Sequence, residues 1–180
     1  MNIQNRKNMK NKRSNRSTNG KNTEFYIVYT VVFLLIALFL YLRFYLNGKS
    51  LVWSHDGVPQ HLNSLSYYGR YLRGILYTIF VEHRFSIPMW DLHIGYGSDI
   101  LTTLHYYVIG DPLTLLSVFC PSSKTEILYE FLIFLRIYLA GIAFSRYCFY
   151  HKNSRQATFM GCMIYIFAGW TIYAAMKHPY

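Results

Sequence analysis

Phe25-Tyr26-Ile27-Val28-Tyr29-Thr30-Val31-Val32-Phe33-Leu34-Leu35-Ile36-Ala37-Leu38-Phe39-Leu40-Tyr41-Leu42 decides the fold class, because the chain runs through it without one charged side chain. As a helix rising 1.5 Å per residue it is about 27 Å long, close to the hydrocarbon thickness of a bilayer. Arg43 follows and can carry its cation out to the interface on an apolar stem. A secretory signal has a shorter apolar core, roughly 7–15 residues, and ends at a small-residue cleavage site. Here Arg43-Phe44-Tyr45-Leu46 follows instead. Residues 25–46 therefore read as a retained transmembrane helix.

The rest of the chain agrees with a membrane setting. Hydrophobic residues make up 53% and charged residues 14% of the 180, against roughly 25% charged in an average globular protein. The low charge fraction, with 18 Tyr and 13 Phe, excludes a mainly disordered chain. Three cysteines without a CxxC pair exclude a disulfide scaffold and a cysteine zinc site. A water-soluble enzyme is excluded by the anchor.

The formal charge of +10 is unevenly placed. Residues 1–24 hold Arg6, Lys7, Lys10, Lys12, Arg13, Arg16 and Lys21 against Glu24 alone, a balance of +6. With little to bury, this segment is expected to be a disordered, basic cytoplasmic tail. Clustered cations also suit nucleic acid, but no aromatic interleaves them to stack on bases, so no nucleic-acid partner is expected. The positive-inside rule places the N-terminus in the cytoplasm.

Two further spans are expected at 127–149 and 157–176. The first carries Glu130 and Arg136; the second has no charge, and its Gly161 and Gly169 suit close helix packing. The 150–156 connection, next to Arg146, is basic through Lys152 and Arg155 and belongs in the cytoplasm. Segment 101–119 is apolar enough for a fourth span, but His105 and Asp111-Pro112 interrupt it. Proline breaks the helix ladder, and a central Asp costs about 2.5–3.5 kcal/mol on insertion scales. If it spanned, the basic connection would fall outside. It is therefore expected to be re-entrant or to lie against the bundle. The result is an all-α polytopic membrane protein with a multi-pass topology in the cell membrane.

The outer loop at 47–126 holds the candidate chemistry. All four aspartates lie in it (Asp56, Asp91, Asp99 and Asp111), with five of the seven histidines. Leu62, Leu65, Leu72, Leu76 and Ile79 recur at helical period, with Arg70 and Arg73 on another face. Such a helix lies in the membrane interface or packs on the bundle, and either arrangement lets Arg70 and Arg73 meet lipid phosphates. Asp56, in Trp53-Ser54-His55-Asp56-Gly57-Val58-Pro59-Gln60-His61, fits a general base facing a lipid-linked substrate. It fits an Asx-turn as well. Asp99 is a second carboxylate or a helix N-cap, and Asp111-Pro112 reads as a cap with Pro at the first helical position. Gly95-x-Gly97-x-Asp99 lacks the third glycine of a dinucleotide fingerprint and reads as turns. His55, Asp56, His61 and Asp99 are the residues that a divalent cation would use, though no dense ligand spacing demands one. Arg136, about 14 Å into its span, faces either a partner helix or a substrate anion.

The runs HDGVPQH (55–61), IPMWDLHIGYGSD (87–99) and LHYYVIGDPLTLL (104–116), with the closing MKHPY, resemble the start of a YfhO-type bacterial membrane protein. That family is similar to GT-C glycosyltransferases, which take sugars from polyprenyl-phosphate carriers outside the cytoplasmic membrane. The resemblance covers roughly residues 25–180. It implies that Asp56 is the catalytic position and Asp99 a weaker second, and that the acceptor is a cell-envelope polymer or membrane glycolipid. Family members are longer, so the chain, whose outer end is 177–180, is expected to be an N-terminal part. On this reading Asp56 deprotonates the acceptor, Arg70 or Arg136 steadies the phosphate, and Trp53 and Trp90 stack on the sugar, with Arg73 and His61 as further substrate-binding residues. A non-catalytic membrane protein, such as a transporter or flippase part or an assembly partner, is the competing reading. It predicts that Arg136 and Glu130 line a path.

Overall fold

A computed structural model describes residues 3–177, with side chains from residue 22 onward. The expected outer end at 177–180 thus lies, past Lys177, outside the described residues. The long first helix α1 (Ile3–Leu46) contains the apolar stretch. Its helical backbone already starts within the segment expected to be disordered. That segment has one glycine and no proline, and extending an existing helix needs no new nucleus.

After α1 come a π-helical turn (Gly57–Leu62), α2 (Asn63–Phe80), and an antiparallel bridge of β1 (Trp90–Asp91) with β2 (Ser98–Asp99). Gly95 and Gly97 make the turn between these strands at φ of +60° and +106°, where a side chain would be strained. Then follow α3 (Ile100–Leu104), a second π-helical turn (His105–Ile109), a 3₁₀ helix (Pro112–Phe119), a short 3₁₀ turn (Ser122–Lys124), α4 (Thr125–Tyr150), α5 (Arg155–Ile166) and α6 (Gly169–Lys177).

Among the described residues two helices are long and apolar enough to cross a membrane, Asn22–Leu46 and Ser122–Tyr150. The expected third span is not one straight helix: α5 and α6 meet at 46°. At the break the Thr171 hydroxyl donates to the Tyr165 carbonyl at 2.8 Å. A backbone acceptor without water nearby must find such a partner. Segment 101–119 forms no continuous helix. Gly110 and the extended backbone at Asp111 divide it, and its 3₁₀ part packs on α2 and α4.

The core joins α1 to the two later helices. Phe25, Tyr29, Phe33 and Ala37 recur every four residues on α1 and are buried. They face α4 and α5 through ring contacts with Phe149, Tyr138 and Phe159. The Tyr29 hydroxyl donates to the Tyr138 carbonyl at 2.9 Å, and Thr30 Oγ1 meets the Tyr138 hydroxyl at 2.9 Å. A Cβ on Gly141 would lie 2.1 Å from the Tyr29 hydroxyl, so the tightest helix approach sits at a glycine of α4. Of the two glycines expected to serve close packing, Gly161 meets Phe144 while Gly169 faces open space.

α2 is buried along its first two turns, at Leu65, Tyr68 and Gly69, and exposes Leu76, Tyr77 and Phe80 farther on. At Gly69 a Cβ would come within 2.7 Å of the Ser117 carbonyl oxygen. The bare glycine is what lets the 3₁₀ helix lie on α2.

Candidate functional site

Asp56 stands at the start of the π-helical turn that follows α1. Its carbonyl accepts from Gln60 N at 3.1 Å and from His61 N at 3.2 Å. Its side chain caps no backbone N–H, so the Asx-turn is not formed. The carboxylate instead receives the Gln60 amide, Nε2 to Oδ1 at 3.4 Å. The other end of that amide, Oε1, accepts from the Tyr107 hydroxyl at 3.1 Å. One side chain thus ties the loop carboxylate of Asp56 to the second π-helical turn. π-helical insertions occur often at functional sites, since they swing side chains out of the α-helical register.

Tyr107 lines a cavity of about 450 Å³ whose walls include His105, Tyr106, Asp111 and Arg136. Arg136 projects from α4 and is held by Asp111. Its Nε donates to Asp111 Oδ2 at 2.9 Å, and its Nη2 bonds the same oxygen. The other Asp111 oxygen accepts from Leu113 N at 2.8 Å, with Pro112 opening the helix. Asp111 is therefore a cap and an ion-pair partner at once. Both side chains are less than one-fifth exposed, a setting in which the two charges need each other.

The remaining sequence-derived candidates fall in different places. Asp99 caps α3, accepting from Thr102 N at 2.7 Å, and pairs with Trp90 across the bridge. Its carboxylate is thus engaged by the helix start. Arg73 donates from Nη1 to the carbonyls of Ser117 and Cys120 at 2.9 and 2.6 Å, which closes the end of the 3₁₀ helix. Arg70 is exposed beside a separate cavity that Trp90 also lines. Trp53 meets the Tyr173 ring edge-on at 5.4 Å and lies 5.2 Å beneath the Lys177 ammonium. His61 is buried against the Tyr107 ring, with centroids 5.4 Å apart. His55 stays at the surface beside Ser54. The described residues contain no cluster of three or more His, Cys, Asp or Glu fit for a metal.

Glu130 accepts from Ser50 Oγ at 3.1 Å and Leu51 N at 3.0 Å. It anchors the chain leaving α1. Together with Thr30, Phe33, Leu34, Phe131 and Phe134 it borders a largely apolar groove of about 560 Å³ between α1 and α4.

Gln60 and Tyr107 were not singled out in the sequence. Gln60 had one signal, its position four residues beyond Asp56, a spacing that puts two side chains on one helical face. Tyr107 had none, since its partner is 47 residues away. Asp91 is a third residue whose role comes from the fold. It accepts from the Tyr67 hydroxyl at 2.6 Å and from His93 N and Nδ1, both at 2.8 Å. The Tyr67 bond first, then those from His93, lower its carboxyl from 3.8 to about 2. Burial, with the Asp91 bond and charge behind it, pushes the Tyr67 hydroxyl well above its usual range.

A sequence model of the family described as "Bacterial membrane protein YfhO" matches residues 28–178. No curated protein and no solved structure matches the chain. The family match takes in all but the first three residues of the apolar stretch 25–42, the whole loop with Asp56 and Tyr107, and the helices behind it. This membrane protein belongs to the YfhO family.

Proposed function

We propose that the protein acts in a GT-C-like membrane glycosyltransferase, moving a sugar from a polyprenyl-phosphate carrier to a cell-envelope acceptor, with Asp56 as general base. The observation that carries this reading is the state of the Asp56 carboxylate. Among the described residues it caps no helix and pairs with no cation, and Gln60 links it to Tyr107, which lines the cavity that Arg136 also borders. Other loop aspartates are engaged: Asp99 by capping α3, Asp111 by Arg136, and Asp91 in part by Tyr67 and His93.

In the reaction Asp56 takes the proton of an acceptor hydroxyl, and that oxygen attacks the anomeric carbon. The bond from this carbon to the carrier phosphate breaks, and the phosphate departs with the electron pair. Arg136, positioned by Asp111, faces that developing charge. The apolar groove between α1 and α4 suits a prenyl chain. With the basic residues of 1–24 and 146–155 on the cytoplasmic side, the Asp56 loop faces outward.

Asp56→Asn tests the assignment in membranes supplied with polyprenyl-phosphate-linked sugar. Loss of a general base lowers transfer about 10²–10⁴-fold, while the protein reaches normal membrane levels. Undiminished transfer would refute the role of Asp56.

A further inference from the structure

A second cavity, of about 540 Å³, lies between α2 and the β1–β2 hairpin. Its walls include Tyr67, Arg70, Tyr71, Trp90, Asp91 and His93. The Tyr67 and Tyr71 rings stack 13° from parallel, and their hydroxyls are occupied, one by Asp91 and the other by the Pro88 carbonyl at 2.8 Å. What these tyrosines offer the cavity is therefore ring surface. Trp90 is 60% exposed and lines the cavity, which leaves ring surface open to a ligand. Asp91 Oδ1 already takes two donors and Oδ2 one, which leaves an acceptor position on Oδ2. Arg70 makes no hydrogen bond or ion pair with the described residues.

These walls select a ligand class. A lipid chain would leave the carboxylate and guanidinium without use. A free phosphate would face the ionised Asp91. A divalent cation would find Asp91 and His93 but no third protein ligand. A sugar ring matches every wall, since its C–H face stacks on an aromatic ring and its hydroxyls donate to a carboxylate.

We infer that this cavity is a second carbohydrate site, separate from Asp56, in which Trp90 stacks on a sugar ring, Asp91 accepts from its hydroxyls and Arg70 meets an oxygen-rich substituent. The site goes beyond the transfer reaction: it binds sugar without reacting it, and it stands even if Asp56 proves dispensable.

The test is ligand-observed saturation-transfer NMR with maltotriose and chitotriose on the purified chain in a phosphocholine detergent, which carries no competing sugar headgroup. The chain and its Asp56→Asn variant bind at least one of the two trisaccharides. Trp90→Ala and Asp91→Asn weaken that binding about tenfold, the scale of one lost stacking or charge-assisted contact. Trp90→Phe, which keeps a ring at this exposed position, restores part of it. Circular dichroism checks that helix content is unchanged. No binding of either sugar, or binding indifferent to Trp90 and Asp91, overturns the site. A transfer defect in Asp56→Asn with sugar binding intact separates this site from the catalytic reading.

Discussion

The losses from removing the Arg136 charge and from removing the Asp111 charge should fall short of adding when both are removed. In the native structure Arg136 gives Nε and Nη2 to Asp111 Oδ2, with the two side chains 19% and 16% exposed. Breaking a buried pair by deleting one partner costs about 3–5 kcal/mol. The residual exposure here admits some solvent, so Arg136→Met should cost about 2–3 kcal/mol, at or below the lower end of that range. Asp111→Asn should cost a similar amount by stranding the guanidinium, while its amide oxygen still accepts from Leu113 N and keeps the cap. In the double variant no charge is stranded. It should recover about 1–2 kcal/mol relative to the sum of the singles, as neighbouring residues in one network do. The assay is a double-mutant cycle on SDS-induced unfolding of detergent-solubilised protein, followed by circular dichroism. Additive singles would refute the reasoning, for they would mean the pair contributes nothing beyond its separate contacts. An Arg136→Met variant as stable as the parent would do the same.

Other outcomes follow from the same physics. Two glycines of α2 should respond oppositely to alanine. Gly69→Ala drives a Cβ to 2.7 Å from the Ser117 carbonyl oxygen and should lose about 1–3 kcal/mol, whereas Gly74→Ala meets nothing within 4 Å and should gain roughly 0.5–1 kcal/mol; the same unfolding assay reads both. The Asp91 carboxyl is held at about 2 against an ordinary 3.8. Its contribution to fastening the hairpin on α2 is therefore full above about pH 4 and is lost as pH falls towards 2. Hydrogen exchange at 90–99 should rise across that window, and Tyr67→Phe, by removing the largest cause, should move the midpoint upward. Gln60→Ala should reduce transfer less than Asp56→Asn, because it loosens the carboxylate without deleting it. Equal losses would make Gln60 more than a positioning residue.

Local chemistry was readable where one residue or one period settles it. The eighteen uncharged residues from Phe25 are long enough for a bilayer whatever surrounds them. Asp111-Pro112 carries both halves of a helix start, the capping oxygen and the ring without an N–H, and the structure uses both. Asp56 is legible as a loop aspartate beside glycine and proline. The choice between turn and reactive carboxylate stayed open, since both begin with the same residues.

By itself, then, the sequence determined the membrane setting, the helical class and the separation of a basic segment from an aspartate-bearing loop. These follow from composition and periodicity, which act along the chain. Only the tertiary structure decided which polar groups were spent. Arg136 meets Asp111 across 25 residues, Glu130 holds Leu51 across 79, and Tyr107 reaches Gln60 across 47. The bend between α5 and α6, and the close approach at Gly69 and Gly141, likewise depend on what lies opposite. Satisfying a buried charge or filling a gap needs a partner in space, and nothing in the spacing of two distant residues says that the fold will bring them together.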